Sequence, residues 1–194
     1  MDASEPLSNA LPTVEDKIEV ARGKKQVADA AFRSGNLQDA LRSYHEALMY
    51  LQGLDKKGLP TIVGQSSSDE EKKTITEVDI IIETVHLNMA ACHLKTDNFK
   101  RALYYADKVV AKNPESTKGQ FRKAKALTGL GYTEKAIVIL ESLVAKDPDD
   151  STFVNELSSV RQREKEADAK SYKKFRGFLG KKPDIVKADD ASTS

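Results

Sequence analysis

The chain has 194 residues, which is enough for one domain with a sizeable core. Its 31 basic and 30 acidic residues give a formal net charge of +1, so no overall field favours a nucleic-acid partner. The single cysteine excludes an internal disulfide framework and fits a reducing compartment. No apolar stretch is long enough for an integral membrane segment and we find no secretory signal, so we expect a cytoplasmic protein.

The predicted elements are helical from the start of the chain. Pro12-Thr13, followed by Asp16, predicts a helix start, and apolar residues at helical spacing continue to Gly35-Asn36. A second helix, with one apolar stripe, is predicted from Leu37 to about Leu51.

Glycine, proline and serine then predict an insertion loop over residues 53–67. Ser68 to Glu71 has the pattern of a capping box, and the buried helix that it opens could extend to Lys95. Three further helices are predicted, at Phe99–Lys112, Thr117–Leu130 and Thr133–Lys146.

The C-terminal part begins with a helix at Ser151, whose apolar residues can cover the preceding helices. Its continuation, Arg161–Lys174, is nearly all charged and should project into solvent. Tyr172, Phe175 and two further apolar residues then alternate with lysine and arginine. Such a stretch can dock on a partner or an anionic surface, but we expect it to fold back over apolar surface of the protein.

One pattern occurs twice at a spacing of 34 residues, so that aligning Ala102 with Ala136 also aligns Pro114 with Pro148. Small residues recur where two helices must approach closely, and a proline closes each copy because it cannot continue a helix. Together with a degenerate copy over residues 21–54, this pattern resembles the tetratricopeptide repeat (TPR).

The resemblance implies an all-α fold of three TPR helix-turn-helix repeats in a right-handed superhelix, with a long insertion between repeats 1 and 2 and a C-terminal capping helix. The repeats lie at about residues 21–54, 83–116 and 117–150, in a TPR domain of residues 13–150. The capping and extension helix is expected over residues 151–179, and disordered tails over residues 1–12 and 180–194.

The residue types offer no catalytic or metal-binding group. His45, His86 and His93 lack a cysteine or carboxylate at metal-ligand spacing, so structural or surface roles are expected. Cys92 lies among small and apolar residues, and the sequence supplies no base to activate it. Phosphate-binding glycine loops and hydrolase motifs are absent. We therefore expect a non-enzyme without a metal or cofactor.

The most informative side chains are cationic. Lys118 and Arg122 share one helix face, where two like charges cost about 0.2–0.5 kcal/mol. An anion between them would explain the pair, although a chance pairing fits equally well.

Segments around these residues look like the clamp positions of chaperone-binding TPR domains. In that family, the first helices of successive repeats line a groove in which two Asn, two Lys and one Arg bind the end of a Glu-Glu-Val-Asp tail. The match is carried by the segments Lys25–Phe32, Leu87–Cys92 and Lys118–Lys123.

The resemblance implies a peptide-binding site of Lys25, Asp29, Asn88, Lys118 and Arg122. Asp29 departs from the pattern, which has Asn there, and replaces a donor with an anion near the expected ligand carboxylate. Lys25 or Arg33, each four residues from Asp29, could neutralise its charge. A Lys25 that pairs with Asp29 is diverted from its role as a clamp lysine.

Residues 44–55 with the following insertion, and residues 164–180, are similar to the tetratricopeptide repeat protein 9 family. That family is related to the TPR half of immunophilins. This chain has no room for their prolyl-isomerase domain, so we expect no isomerase activity.

Two hypotheses follow. The first is a monomeric adaptor, resembling a co-chaperone, that binds the acidic C-terminal peptide of a cytosolic heat-shock chaperone of the 90-kDa or 70-kDa class. The second is a non-catalytic scaffold whose partner is not a chaperone and binds the insertion, the convex face or the basic C-terminal helix.

Overall fold

A computed structural model of the chain describes residues 12–52, 54 and 77–179. Every regular element in these residues is an α-helix, which confirms the predicted all-α class. Most of the predicted insertion, the predicted capping box and most of both predicted tails lie outside the described residues. The helices are α1 (Val14–Arg33), α2 (Leu37–Leu51), α3 (Glu77–Lys95), α4 (Phe99–Lys112), α5 (Thr117–Gly129), α6 (Thr133–Lys146) and α7 (Ser151–Leu179).

Local signals set the helix bounds. The Thr13 hydroxyl accepts a hydrogen bond from the Asp16 N–H at 3.2 Å, and the Asp16 carboxylate accepts one from the Thr13 N–H at 2.8 Å. This capping box starts α1 where the sequence predicts it. Helix α5 ends at Gly129, one residue before the predicted end, because Leu130 already forms the cap.

Three inter-helix turns share one geometry. Each contains a residue with positive φ, which lets the next N–H reach back to a carbonyl of the last helical turn. In all three turns this hydrogen bond measures 2.9 Å. The positive-φ residues are Gly35 (85°), Asp97 (54°) and Gly131 (84°).

The packing order places three helices on one face. Helices α1 and α2, α3 and α4, and α5 and α6 pack as neighbours, while α3 also contacts α1 and α5. Ala28, Ala90 and Ala124 are completely buried, which lets the backbones approach closely. The face formed by α1, α3 and α5 carries the residues that the clamp resemblance singles out. The number of repeats and the superhelical hand stay predictions.

Helix α7 has two different halves. Leu157 and Val160 are buried against the α5–α6 core, as the sequence predicts for the first half. After Arg161 nearly every described side chain is exposed. The expectation that the end folds back is wrong, because one helix continues to Leu179 and leaves Tyr172 and Phe175 67% and 62% exposed. None of the described helices is long and apolar enough to cross a membrane.

Candidate peptide-binding groove

Asp29 is the centre of a hydrogen-bond network on the α1–α3 face. Its Oδ2 accepts a hydrogen bond from the Lys25 ammonium at 2.8 Å. Its Oδ1 accepts one from the Tyr44 hydroxyl at 2.5 Å and another from the Asn88 amide nitrogen at 3.0 Å. Lys25 and Asn88, two of the predicted site residues, therefore both donate hydrogen bonds to a third, Asp29.

The sequence explains this network only in part. Lys25 and Asp29 are four residues apart and share a face of α1. Tyr44 is completely buried, so its hydroxyl needs an internal acceptor. Burial alone would raise the pKa of the Asp29 carboxyl, but the hydrogen bonds from Lys25 and Tyr44 outweigh that effect and hold the pKa below its ordinary value. Asp29 is therefore ionised at neutral pH.

Lys118 and Arg122 lie on the neighbouring helix α5. Neither forms an ion pair with an acidic side chain in the part of the chain that the structure describes. The Arg122 Nη1 is buried and has no hydrogen-bond partner there. Burial lowers the pKa of Arg122, which reflects the cost of keeping the charge away from water.

These two cations line a groove between α3, α5 and α7 with a volume of about 690 Å³. Its walls combine the rings of Phe99 and Phe121 with five cationic and two acidic side chains. The excess of positive charge suits an acidic ligand that also has apolar groups. The charged lining residues are Lys95, Lys118, Arg122, Lys125, Arg163, Asp97 and Glu156.

Several of these charges are already engaged. Lys125 pairs with Glu156 at 3.4 Å, and the Lys95 ammonium lies 4.3 Å from the centre of the Phe32 ring. Lys118 and Arg122 of α5, with Arg163 of α7, are therefore the groove cations that no described acidic side chain or aromatic ring engages.

Cys92 lies on α3, and the charges of Arg122 and Asp29 both act on its thiol. The side chain is completely buried, and burial raises its pKa to about 11. Such a thiol stays protonated and is a poor nucleophile at neutral pH.

The three histidines form a separate cluster around Tyr105. The His93 and His86 rings stack on the Tyr105 ring at centroid distances of 5.5 and 5.8 Å, and His45 meets its edge at 6.2 Å. Burial, with the charges of Lys108 and Lys112, lowers the pKa of His86 to about 4. No group of three or more His, Cys, Asp or Glu among the described residues could hold a metal ion.

The structure thus divides the five predicted site residues into two groups. Lys25, Asp29 and Asn88 form the hydrogen-bonded network on α1 and α3, whereas Lys118 and Arg122 of α5 line the groove, which the first three residues do not. Sequence reasoning did not identify Tyr44 as a partner of Asp29, nor the contribution of α7 to the groove. The burial of the Tyr44 position was readable from its apolar stripe, and a buried hydroxyl requires a partner. The sequence predicted that the first half of α7 covers the preceding helices, but it gave no signal that Glu156 and Arg163 of α7 would line the groove.

Comparisons with known proteins agree with this fold. Residues 93–155 match the family model described as tetratricopeptide repeat. The chain is 25% identical over 171 residues to the peptidyl-prolyl cis-trans isomerase FKBP42 of Arabidopsis thaliana, covering 87% of this chain and 44% of the relative. It is 28% identical over 165 residues to the human FK506-binding protein-like, and this match covers 85% of this chain and 42% of the relative. The chain therefore spans less than half the length of these relatives.

Three solved structures show the same architecture. The C-terminal TPR-containing domain of a Plasmodium falciparum FK506-binding protein matches with a TM-score of 0.66, 21% identity and coverage of 81% of this chain and 96% of that domain. The Hsp90 co-chaperone Cns1 from Saccharomyces cerevisiae matches with a TM-score of 0.65 and 24% identity, and the match covers 84% of this chain and 45% of that one. The first TPR of Spaghetti (RPAP3), solved with the HSP90 peptide SRMEEVD, matches with a TM-score of 0.56 and 18% identity. This match covers 75% of this chain and 96% of that one.

The predicted resemblance to TPR proteins and to the TPR domains of immunophilins is therefore confirmed. The closer resemblance to the tetratricopeptide repeat protein 9 family stays a prediction. Residues 93–155 are tetratricopeptide repeat sequence, and the described chain has the fold of the TPR domains of FKBP-like immunophilins and Hsp90 co-chaperones.

Proposed function

We propose that this chain is a cytosolic, non-catalytic TPR adaptor that binds the acidic C-terminal peptide of a heat-shock chaperone of the 90-kDa or 70-kDa class. The observation that carries the proposal is the buried, unpartnered Nη1 of Arg122 beside Lys118 in a positively charged groove. A buried guanidinium nitrogen without a hydrogen-bond partner is costly, and a ligand carboxylate that draws the half-buried Arg122 side chain into the groove would satisfy it.

The ligand chemistry follows from the groove. A carboxylate side chain of the peptide binds Arg122 and Lys118, and each charge-assisted bond contributes about 1.5–3 kcal/mol. The rings of Phe99 and Phe121 offer apolar surface to neighbouring peptide side chains. Lys25, Asp29 and Asn88 form the adjoining end of the site.

The comparisons support the partner class. The RPAP3 TPR domain was solved with an HSP90 peptide, and its second TPR domain with the HSP70 peptide SGPTIEEVD. Both peptides end in Glu-Glu-Val-Asp, so their acidic side chains match the charge of the groove.

Titration with the peptide SRMEEVD tests the proposal. Lys118→Ala and Arg122→Ala should each weaken binding by about 10- to 150-fold, which corresponds to the loss of one charge-assisted bond. Lys100→Ala is the matched control, because Lys100 is exposed on α4 and lies outside the groove. Absence of binding at millimolar peptide, or equal binding by wild type and Lys118→Ala, would contradict the proposal.

The scaffold hypothesis has its own support in the basic end of α7, where Tyr172 and Phe175 are exposed. A pull-down from cytosol distinguishes the two. Partners lost in the Lys118→Ala/Arg122→Ala variant bind the groove, whereas partners lost only in Tyr172→Ser/Phe175→Ser bind the helix.

A further inference from the structure

We infer that Asp29 makes the groove a receptor for acidic side chains that does not require the ligand's free terminal carboxylate. The inference rests on the proposed function and specifies its ligand class. Internal acidic segments with a blocked or continuing backbone are then ligands as good as, or better than, chain ends.

The charges at the α1 end of the site already balance each other. Lys25 and Asp29 form an ion pair at 2.8 Å, so this end of the site contributes no net positive charge. Asn88 donates one of its two amide hydrogens to Asp29, which leaves only the second for a ligand. The uncompensated charge lies on α5, at Lys118 and Arg122. A ligand therefore gains from one anionic group at α5, and a second anionic group gains little near α1.

Asp29 keeps one acceptor position open to a ligand. Its side chain is 25% exposed, so a ligand can reach it. Oδ1 accepts two hydrogen bonds, but Oδ2 accepts only one, from Lys25, and can accept another. A ligand carboxylate would face an ionised carboxylate there, whereas a backbone or amide N–H would donate to it. The group that fits beside Asp29 is a hydrogen-bond donor.

Two forms of one peptide test this inference. SRMEEVD is titrated with a free C-terminal carboxylate and with a C-terminal amide, against wild type, Asp29→Asn and Asp39→Asn. Wild type should bind the amide at least as tightly as the acid, with a preference of up to about tenfold, the size of one hydrogen bond. Asp29→Asn should reverse the preference, because it restores a donor and frees Lys25.

Asp39→Asn is the matched control, since it removes the same charge from an exposed position on α2 where Asp39 faces Arg42. It should keep the wild-type preference. A wild-type preference for the free acid overturns the inference and leaves the proposed function intact. Failure of both peptides to bind overturns the proposed function and this inference together. The wild-type comparison remains decisive even if Asp29→Asn does not fold.

Discussion

Replacing Arg122 by Met should stabilise the protein and weaken peptide binding by about 10- to 150-fold. The guanidinium forms no ion pair or hydrogen bond within the described residues, and its Nη1 is buried. Methionine keeps most of the packing of the arginine stem and removes the buried charge. We therefore expect a gain in the free energy of unfolding, where a structural arginine would give a loss.

The size of the gain follows from the unsatisfied donor. A buried polar group without a partner costs about 1–3 kcal/mol, and replacing buried charges with apolar residues of similar volume often stabilises by a similar amount. For a chain of this size, each kcal/mol raises the midpoint of thermal unfolding by about 2–4 °C. Lys118→Met is the control, because Lys118 is exposed and its loss should change stability by less than about 0.5 kcal/mol.

Urea denaturation with and without peptide measures both effects. A concentration of SRMEEVD about 100 times its dissociation constant for the wild type should stabilise the wild type by about 2.7 kcal/mol, and Arg122→Met by only about 0.3–1.4 kcal/mol. A destabilised Arg122→Met variant would refute the reasoning, since it would mean that the guanidinium is already satisfied by the protein. Undiminished peptide binding by this variant would refute the assignment of the anion site.

Two further predictions concern stability. The lowered pKa of His86, about 4 against 6.5 for the free side chain, means that protons bind the unfolded chain more readily. The free energy of unfolding should therefore fall by up to about 3 kcal/mol as the pH drops from 6.5 to 4. Urea denaturation across this pH range should show a weaker pH dependence of the unfolding free energy for His86→Gln. The control His45→Gln should keep most of the wild-type pH dependence. A Cβ at Gly129 would overlap the Phe99 ring, so Gly129→Ala should cost about 1–3 kcal/mol in urea denaturation and narrow the groove. Gly23→Ala, where a Cβ meets nothing within 4 Å, should instead stabilise by up to about 1 kcal/mol, and equal effects of the two variants would contradict the packing argument.

The opposing roles of Arg122 and Asp29 give the groove its character. Arg122 is a buried donor without a partner, and Asp29 is an acceptor with three partners. An anion from a ligand relieves the first and is repelled by the second. We therefore expect a site that is polarised along the line from α5 to α1, and we expect this polarity to set which part of an acidic peptide it binds.

The helices themselves could be predicted because their determinants are local. The capping box at Thr13, the Asn-Pro pair after α4 and the glycines of two turns act within a few residues, so their effect is readable from the sequence. Apolar spacing also identified the buried stretch of α3, in which Val78, Ile81 and Val85 are buried.

The state of the binding residues was decided only by the tertiary structure. The sequence by itself determined that Lys25, Asn88, Lys118 and Arg122 were candidates, and it flagged Asp29 as an anomaly. Only packing brought Asn88 to Asp29, a partner 59 positions away, and left Arg122 buried without one. Hydrogen-bond partners across helices depend on distances and burial that no local pattern encodes, which is why the fold was predictable and the division of the site into a satisfied and an unsatisfied end was not.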